Sequence, residues 1–217
     1  MKDCSLPTHK ECLAMLAEYH VPPNIVRHNK AVAKLVVFLA QRLNEKGAAI
    51  DVTLLERAGL LHDMMRVFDF PESDYHLFER NLPAKEQAKW RRLHAKYKAM
   101  THEDAAYDVL KERYPALALT IKRHRYMAML DENNRPKSWE EKLLYYADMR
   151  VMHEKIVPLK QRLAEGHKRN IHMHGSAAQS KINTAKVDPM IEEMEKEIFD
   201  KIGLDPNEVT HDFIDAY

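Results

Sequence analysis

An all-α fold is the first expectation from this chain, and three observations predict it. Glycine is scarce, at 5 of 217 residues. No stretch alternates β-branched and polar residues as a half-buried strand would. Apolar residues instead recur at the three- and four-residue spacing of amphipathic helices. The length suffices for one substantial domain with a real core, so residues 1–217 are expected to form a single unit.

Helices are expected over 8–20, 23–44, 51–66, 84–112, 116–129, 138–152, 155–165 and 188–202. Pro22-Pro23 suits the start of the second, since proline is tolerated in a first turn. Its core-facing stripe runs Ile25, His28, Val32, Leu35, Leu39. Asp51 can cap the third helix, whose buried face is Leu55, Ala58, His62 and Met65. Gly59, one turn before Asp63, is expected to leave open space beside that carboxylate. The segment FDFPESDYHLF reads as a loop or short helix. Ala99, His102, Ala106 and Val109 then repeat the stripe, as do Leu117, Ile121, His124 and Ala128. DENNRPKS is a loop, and Leu144, Asp148, Val151 and Met152 form the last of these faces.

Composition narrows the partners. Lys plus Arg number 34 against 33 Asp plus Glu, a formal net charge of +1, so nothing draws the whole chain to nucleic acid or anionic membrane. Mean hydropathy is −0.55 and no apolar run approaches the length of a membrane span. MKDCSLPTHKECLAML lacks the apolar core of a secretory leader, which points to the cytoplasm. Cys4 and Cys12 have a spacing unlike any zinc knuckle and read as incidental thiols. Lys85 to Lys98 interleaves Lys85, Lys89, Arg91, Arg92, Lys96 and Lys98 with Trp90 and Tyr97; a solvated helix face is preferred to a nucleic-acid surface. GHKRNIHMHGS reads as a mobile surface loop in preference to a phosphate-contacting loop or second metal locus.

The functional signal lies in the interruptions of those stripes. His28, the pair His62-Asp63, His102, His124 and Asp148 each occupy a position where a hydrophobic residue belongs. Buried imidazoles and carboxylates are costly unless paired. Either each has its own private partner, or several converge on a shared metal ion. The pattern alone leaves both open.

AGLLHDMMR, preceded by His28 in a helix and followed by THEDAAYDVL, IKRHRY and LLYYADMRV, resembles the HD-domain metal-dependent phosphohydrolases over about residues 24–160. The resemblance implies a helical bundle of the HD type, extended by an N-terminal helix and a C-terminal helical segment. It implies that His28, His62, Asp63 and Asp148 bind a first divalent metal, and that His102 and His124 complete a second site with Asp63 bridging. That is the binuclear branch, which includes symmetrical dinucleoside-tetraphosphate hydrolases and cyclic-dinucleotide phosphodiesterases. Imidazole and carboxylate ligands suit two ions of Fe, Mn or another transition metal better than Ca.

The implied reaction is hydrolysis of a phosphoester or phosphoanhydride, in a small phosphorylated substrate such as a nucleotide, by a metal-activated water. Asp63 and Arg66 would be catalytic, with Arg66, Arg125 and Arg150 contacting substrate and neither membrane nor nucleic acid involved. The chain departs from the pattern at HDMMR, where many relatives have a small residue and then lysine; Arg66 falls at the lysine position, and a guanidinium can hold phosphate bidentately. His124 lies between Arg123 and Arg125, so the histidine pair of cyclic-dinucleotide phosphodiesterases is absent. His94, His153, Tyr145 and Tyr146 are further candidates for the surroundings of the site. The rival readings are a hydrolase of a nucleoside monophosphate, an alarmone or a cyclic dinucleotide, a non-catalytic metal or nucleotide sensor, and an RNA-associated helical protein.

Overall fold

A computed structural model describes residues 5–69, 83–170 and 177–216. Helix α1, His9–Glu18, starts at a capping box in which the Thr8 hydroxyl accepts from the Glu11 amide and the Glu11 carboxylate accepts from the Thr8 amide. Helix α2, Pro23–Glu45, starts at the expected prolines and buries Ile25, Val32, Leu35, Val36, Leu39 and Leu43. It is the central element and packs against α3 (Val52–Leu61), α7 (Trp139–Asp148) and α9 (Ala177–Ile202).

The contact of α2 with α3 corrects one expectation. A Cβ built on Gly59 would lie 2.5 Å from the Ala33 Cα and 2.8 Å from its nitrogen. Gly59 therefore leaves no open space beside Asp63. The absent side chain lets the α2 backbone come close enough to bring His28 beside His62.

Several helices are shorter than periodicity suggests. Helix α3 ends at Leu61; His62 to Met65 form tight turns that run into a one-turn 3-10 helix, Arg66–Asp69. The expected helix 84–112 is two: α4 (Ala84–Tyr97) and α5 (His102–Leu110), divided where extended Thr101 caps α5 by accepting from the Asp104 amide. The expected helix 116–129 is α6 (Pro115–Lys122) followed, after His124, by a 3-10 segment, Tyr126–Leu130. Asp131 accepts from the Asn133 amide and the Asn134 side chain within the expected loop.

Ser138 and Glu141 form a second capping box at the start of α7. Beyond Asp148 the chain leaves the helix for an antiparallel hairpin, β1 (Val151–Met152) and β2 (Lys155–Ile156), with Val151 opposite Ile156. Helix α8 spans Leu159–Asn170. Helix α9 begins well before residue 188 and runs through Pro189, a residue more at home in a first turn. Helix α10, His211–Asp215, follows near the C-terminus.

On α4, Trp90 and Tyr97 are buried, so neither ring is exposed for stacking on a base. Lys89 reaches the Glu18 carbonyl and the Tyr19 ring, and Lys96 lies over Tyr97. Cys12 is a buried, free thiol. Cys4, most of FDFPESDYHLF and most of GHKRNIHMHGS lie outside the described residues. Among the described residues, no helix is long and apolar enough to cross a membrane.

Candidate metal centre

The interruptions of the hydrophobic stripes meet at one place. His28 comes from the first turns of α2, His62 and Asp63 from the end of α3, His102 from the start of α5, His124 from the turn after α6, and Asp148 from the last residue of α7. The rings form a continuous row, with centroids 5.3 Å apart for His28 and His62, 5.0 Å for His62 and His124, and 5.6 Å for His124 and His102. His62 is fully buried, while His124 and His102 are 3% and 5% exposed.

Each imidazole is held by the same device. Nδ1 of His62 bonds the Gly59 carbonyl at 2.9 Å, that of His124 the Ile121 carbonyl at 2.6 Å, and that of His28 the His153 carbonyl at 2.7 Å. Nδ1 of His102 bonds Asp69 Oδ2 at 2.6 Å. A carbonyl oxygen can only accept, so Nδ1 carries the hydrogen in the first three, and in a neutral ring Nε2 then presents a lone pair. His153 supplies its carbonyl from a left-handed backbone (φ 58°) in the tip of the hairpin. A non-glycine residue there carries strain, and it sits where the chain must turn a carbonyl toward His28.

The Nε2 atoms converge on the carboxylates. His28 Nε2 is 2.9 Å from Asp148 Oδ1, and His62 Nε2 is 3.6 Å from the same atom and 3.9 Å from Asp63 Oδ2. On the other side of Asp63, Oδ1 is 3.1 Å from His102 Nε2 and 3.7 Å from His124 Nε2. His62 Nε2 is buried with no hydrogen-bond partner among the described residues.

Lone pairs facing carboxylate oxygens repel unless a proton or a cation lies between them. Four adjacent imidazolium rings would repel one another by about 3 kcal/mol per pair at these spacings and an effective dielectric near 20. A divalent cation needs no such crowding, and two ligand atoms on one small cation lie roughly 3–3.5 Å apart; the pairs here span 2.9 to 3.9 Å. Among the described residues, three groups have donor atoms mutually within 4.8 Å: His28, His62 and Asp63; His62, His124 and Asp148; and Asp63, His102 and His124. The residues present fit a divalent cation, and Asp63 belongs to groups on both sides.

The electrostatics agree. Burial pushes the Asp63 carboxyl up, yet His62, His102 and His124 together hold it well below the usual carboxylate range. Asp148 is held down against burial by His28 and His62. Burial alone would make His28 and His124 less basic, but hydrogen bonds to Asp148 and Asp63, respectively, reverse the direction. His102 is pushed up to about 10, against burial, by Glu103, Asp63 and Asp69. Fields that favour protons at these nitrogens also favour metal cations.

The HD-domain family model matches residues 25–151, more than half of the chain and a span holding all six of these residues. This chain is an HD-domain protein. It belongs to the HD-domain metal-dependent phosphohydrolase superfamily, whose members are generally hydrolases and bind divalent metals. No curated protein and no solved structure matches the chain.

The arginines expected to contact substrate are placed differently from one another in this HD domain. Arg66 Nη1 is 3.2 Å from His102 Nδ1 and 3.6 Å from Asp69 Oδ2, with the side chain 30% exposed. Burial disfavours its charge, but Asp63, Asp69 and Glu103 more than compensate. Arg125 is exposed, next in sequence to His124. Arg150 corrects the expectation: its side chain is 1% exposed and bonds the Val157, Pro206 and Val209 carbonyls and the Tyr146 hydroxyl. With its donors engaged there, it ties α7 to the C-terminal segment and offers no free face to a substrate.

The Tyr145 and Tyr146 hydroxyls are likewise engaged, with the Tyr126 carbonyl and Glu195. His94 bonds the Phe68 carbonyl, and His167 joins Tyr126 and Asp188. Two acidic neighbours escaped the sequence reading. Asp69 has no local signature, because only the 3-10 turn brings it to His102. Glu103 has one: with Ala106 and Leu110 it makes another polar interruption of an apolar stripe, and all three are buried.

Proposed function

We propose that this HD-domain protein hydrolyses a phosphoester or phosphoanhydride bond, using two divalent transition-metal ions held by His28, His62, Asp63, His102, His124 and Asp148. The observation that carries the reading is the common orientation of the four imidazoles, each tied outward through Nδ1 with Nε2 turned toward Asp63 or Asp148. Outward bonds of this kind fix the tautomer and raise ligand basicity at metal centres. Bound cations of this class lower the pKa of a coordinated water and neutralise charge developing on a phosphoryl group.

The chain's own residues supply position and charge. Asp63 lies between the two halves of the centre, its two oxygens facing different histidines. Arg66, kept charged and partly open to solvent, is placed to take a phosphate oxygen. Arg125, exposed beside His124, is a second candidate contact for substrate phosphate. Asp69 holds the His102 ring, which keeps its Nε2 on Asp63 Oδ1. A nucleotide is the substrate class we favour, on kinship with the family. Residues 1–217 are taken as one unit in this reading.

The test is turnover of a chromogenic phosphodiester, then a nucleotide panel, by purified protein with Mn(II) or Fe(II) under anaerobic conditions. Asp63→Asn should abolish activity and lower metal content. Activity that survives the change ends the proposal, and tight nucleotide binding without turnover would replace it by the sensor reading.

A further inference from the structure

Glu103 stands out among the described residues near the centre. It is buried, 5% exposed, directly after His102 in the first turn of α5. Oε1 lies 3.3 Å from His102 Nε2, the atom that also faces Asp63, and Oε2 is buried with no hydrogen-bond partner among the described residues. The neighbouring Thr101 hydroxyl bonds Asp104 at 3.3 Å and also lies near the Glu103 carboxylate. A buried carboxylate is costly unless each oxygen is matched.

The two halves of the centre explain its presence. One half has His28, His62 and a carboxylate of its own, Asp148, whose Oδ1 lies against both Nε2 atoms. The other half has His102 and His124 on the shared Asp63; Asp148 lies within 4.8 Å of His124 but makes its short contacts to His28 and His62, and Glu103 is the carboxylate beside His102. With Glu103 each half holds two imidazoles and one private carboxylate around Asp63. The charges point the same way. Among the described residues, the carboxylates of Asp63, Asp69, Glu103 and Asp148 that contact the imidazoles outnumber the guanidinium of Arg66, so the cluster is net negative when the histidines are neutral.

We propose that Glu103 is a ligand in its own right, the private carboxylate of a divalent cation held among Asp63, His102 and His124, as Asp148 is for the opposite half. The inference rests on the two-metal reading above and extends it to a residue outside the HD-type series. It gives the second position a hard oxygen donor, so that position should retain Mn(II) or Fe(II) about as well as the first.

The protein, stripped by chelator and titrated anaerobically with Mn(II), should bind about two ions per chain, magnetically coupled in electron paramagnetic resonance. Glu103→Gln keeps the side chain's size and removes its charge. It should fill one position, lose the coupled signal, and weaken the second ion by ~100-fold or more, beyond the ~10–100-fold typical of residues that only support a ligand. Asp69→Asn, a supporting change, should stay within that smaller range. Glu103→Asp keeps the charge and should recover part of the second ion. Coupling and stoichiometry unchanged in Glu103→Gln would overturn the assignment. So would a metal loss in Glu103→Gln that Glu103→Asp shares in full alongside an equal fall in metal-free melting temperature, since Glu103 would then serve the fold alone. Wild-type protein binding one ion would overturn this inference and leave metal-dependent hydrolysis standing. Wild-type protein binding none would remove both.

Discussion

Replacing Gly59 with alanine tests whether the approach of α2 to α3 sets the centre. The added methyl would sit 2.5 Å from the Ala33 Cα, 2.8 Å from its nitrogen and 2.9 Å from its Cβ. Ordinary carbon contacts lie near ~3.5–4.0 Å, so the helices must part by about 1 Å. Two of the obstructing atoms are backbone and cannot rotate away, which places the cost toward the upper end of ~1–3 kcal/mol for overpacking. Alanine returns about 1 kcal/mol of helix propensity. A net loss of about 2 kcal/mol remains, or a melting temperature lower by ~4–8 °C for a chain of this size. The displacement also acts on function. His28 rides on α2 and His62 terminates α3, and sites tolerate only ~0.5 Å of misplacement. Calorimetry and an Mn(II) titration check both halves, with affinity expected to fall by at least ~10-fold. A melting temperature equal to or above wild type, with unchanged affinity, would mean that propensity outweighs the clash and that this contact does not position the ligands.

Three further outcomes are expected. Protons and cations compete for the same nitrogens. The raised pKa values of His28, His124 and His102 (the last about 10) stabilise the metal-free fold below their ordinary values, and that stability is lost as pH rises through the raised ones. The depressed Asp63 and Asp148 add stability that is lost only as pH falls into the acid range. The gain in melting temperature on saturation with Mn(II) should therefore grow between weakly acidic and alkaline pH; a gain that is flat or shrinks with pH refutes the competition. Arg150→Met should cost about 3–5 kcal/mol, seen in denaturant unfolding, and leave metal content unchanged, whereas unaltered stability with a raised KM would restore a substrate role. Arg66→Ala should lower kcat/KM by roughly 10–100-fold, as loss of a charged hydrogen bond does, with metal still bound; equal kcat/KM would remove Arg66 from the site.

Much of the fold and centre is readable in one dimension because a buried polar residue on a helix breaks a periodic pattern. His28, His124 and Asp148 are legible for that reason. The same rule reaches Glu103, whose stripe was overshadowed by the histidine beside it. What escapes is non-local. Asp69 meets His102 only after the chain tightens beyond the HD pair. The break between α4 and α5 lacks glycine or proline, although Thr101 and Asp104 mark it by capping. The hairpin after Asp148 has two-residue strands, too short for alternation to register, and its tip relies on strained His153. Arg150 shows the opposite error: a charged residue two positions from Asp148 looks functional, while its partners at Val157, Pro206 and Val209 lie in loops that periodicity does not place.

The imidazole-to-backbone bonds carry a mechanical implication as well. His28 and Asp148 stand 120 residues apart in the chain, and His28 is tied to a carbonyl 125 residues away. A cation joining such distant stretches acts as a removable cross-link. By the loop-closure relation used for disulfides, a link of this span is worth about 4–5 kcal/mol of denatured-state entropy. Loading and emptying the centre would then switch the durability of the whole molecule. In a cell short of metal, the population that has lost its chemistry would also be the one most readily unfolded and degraded.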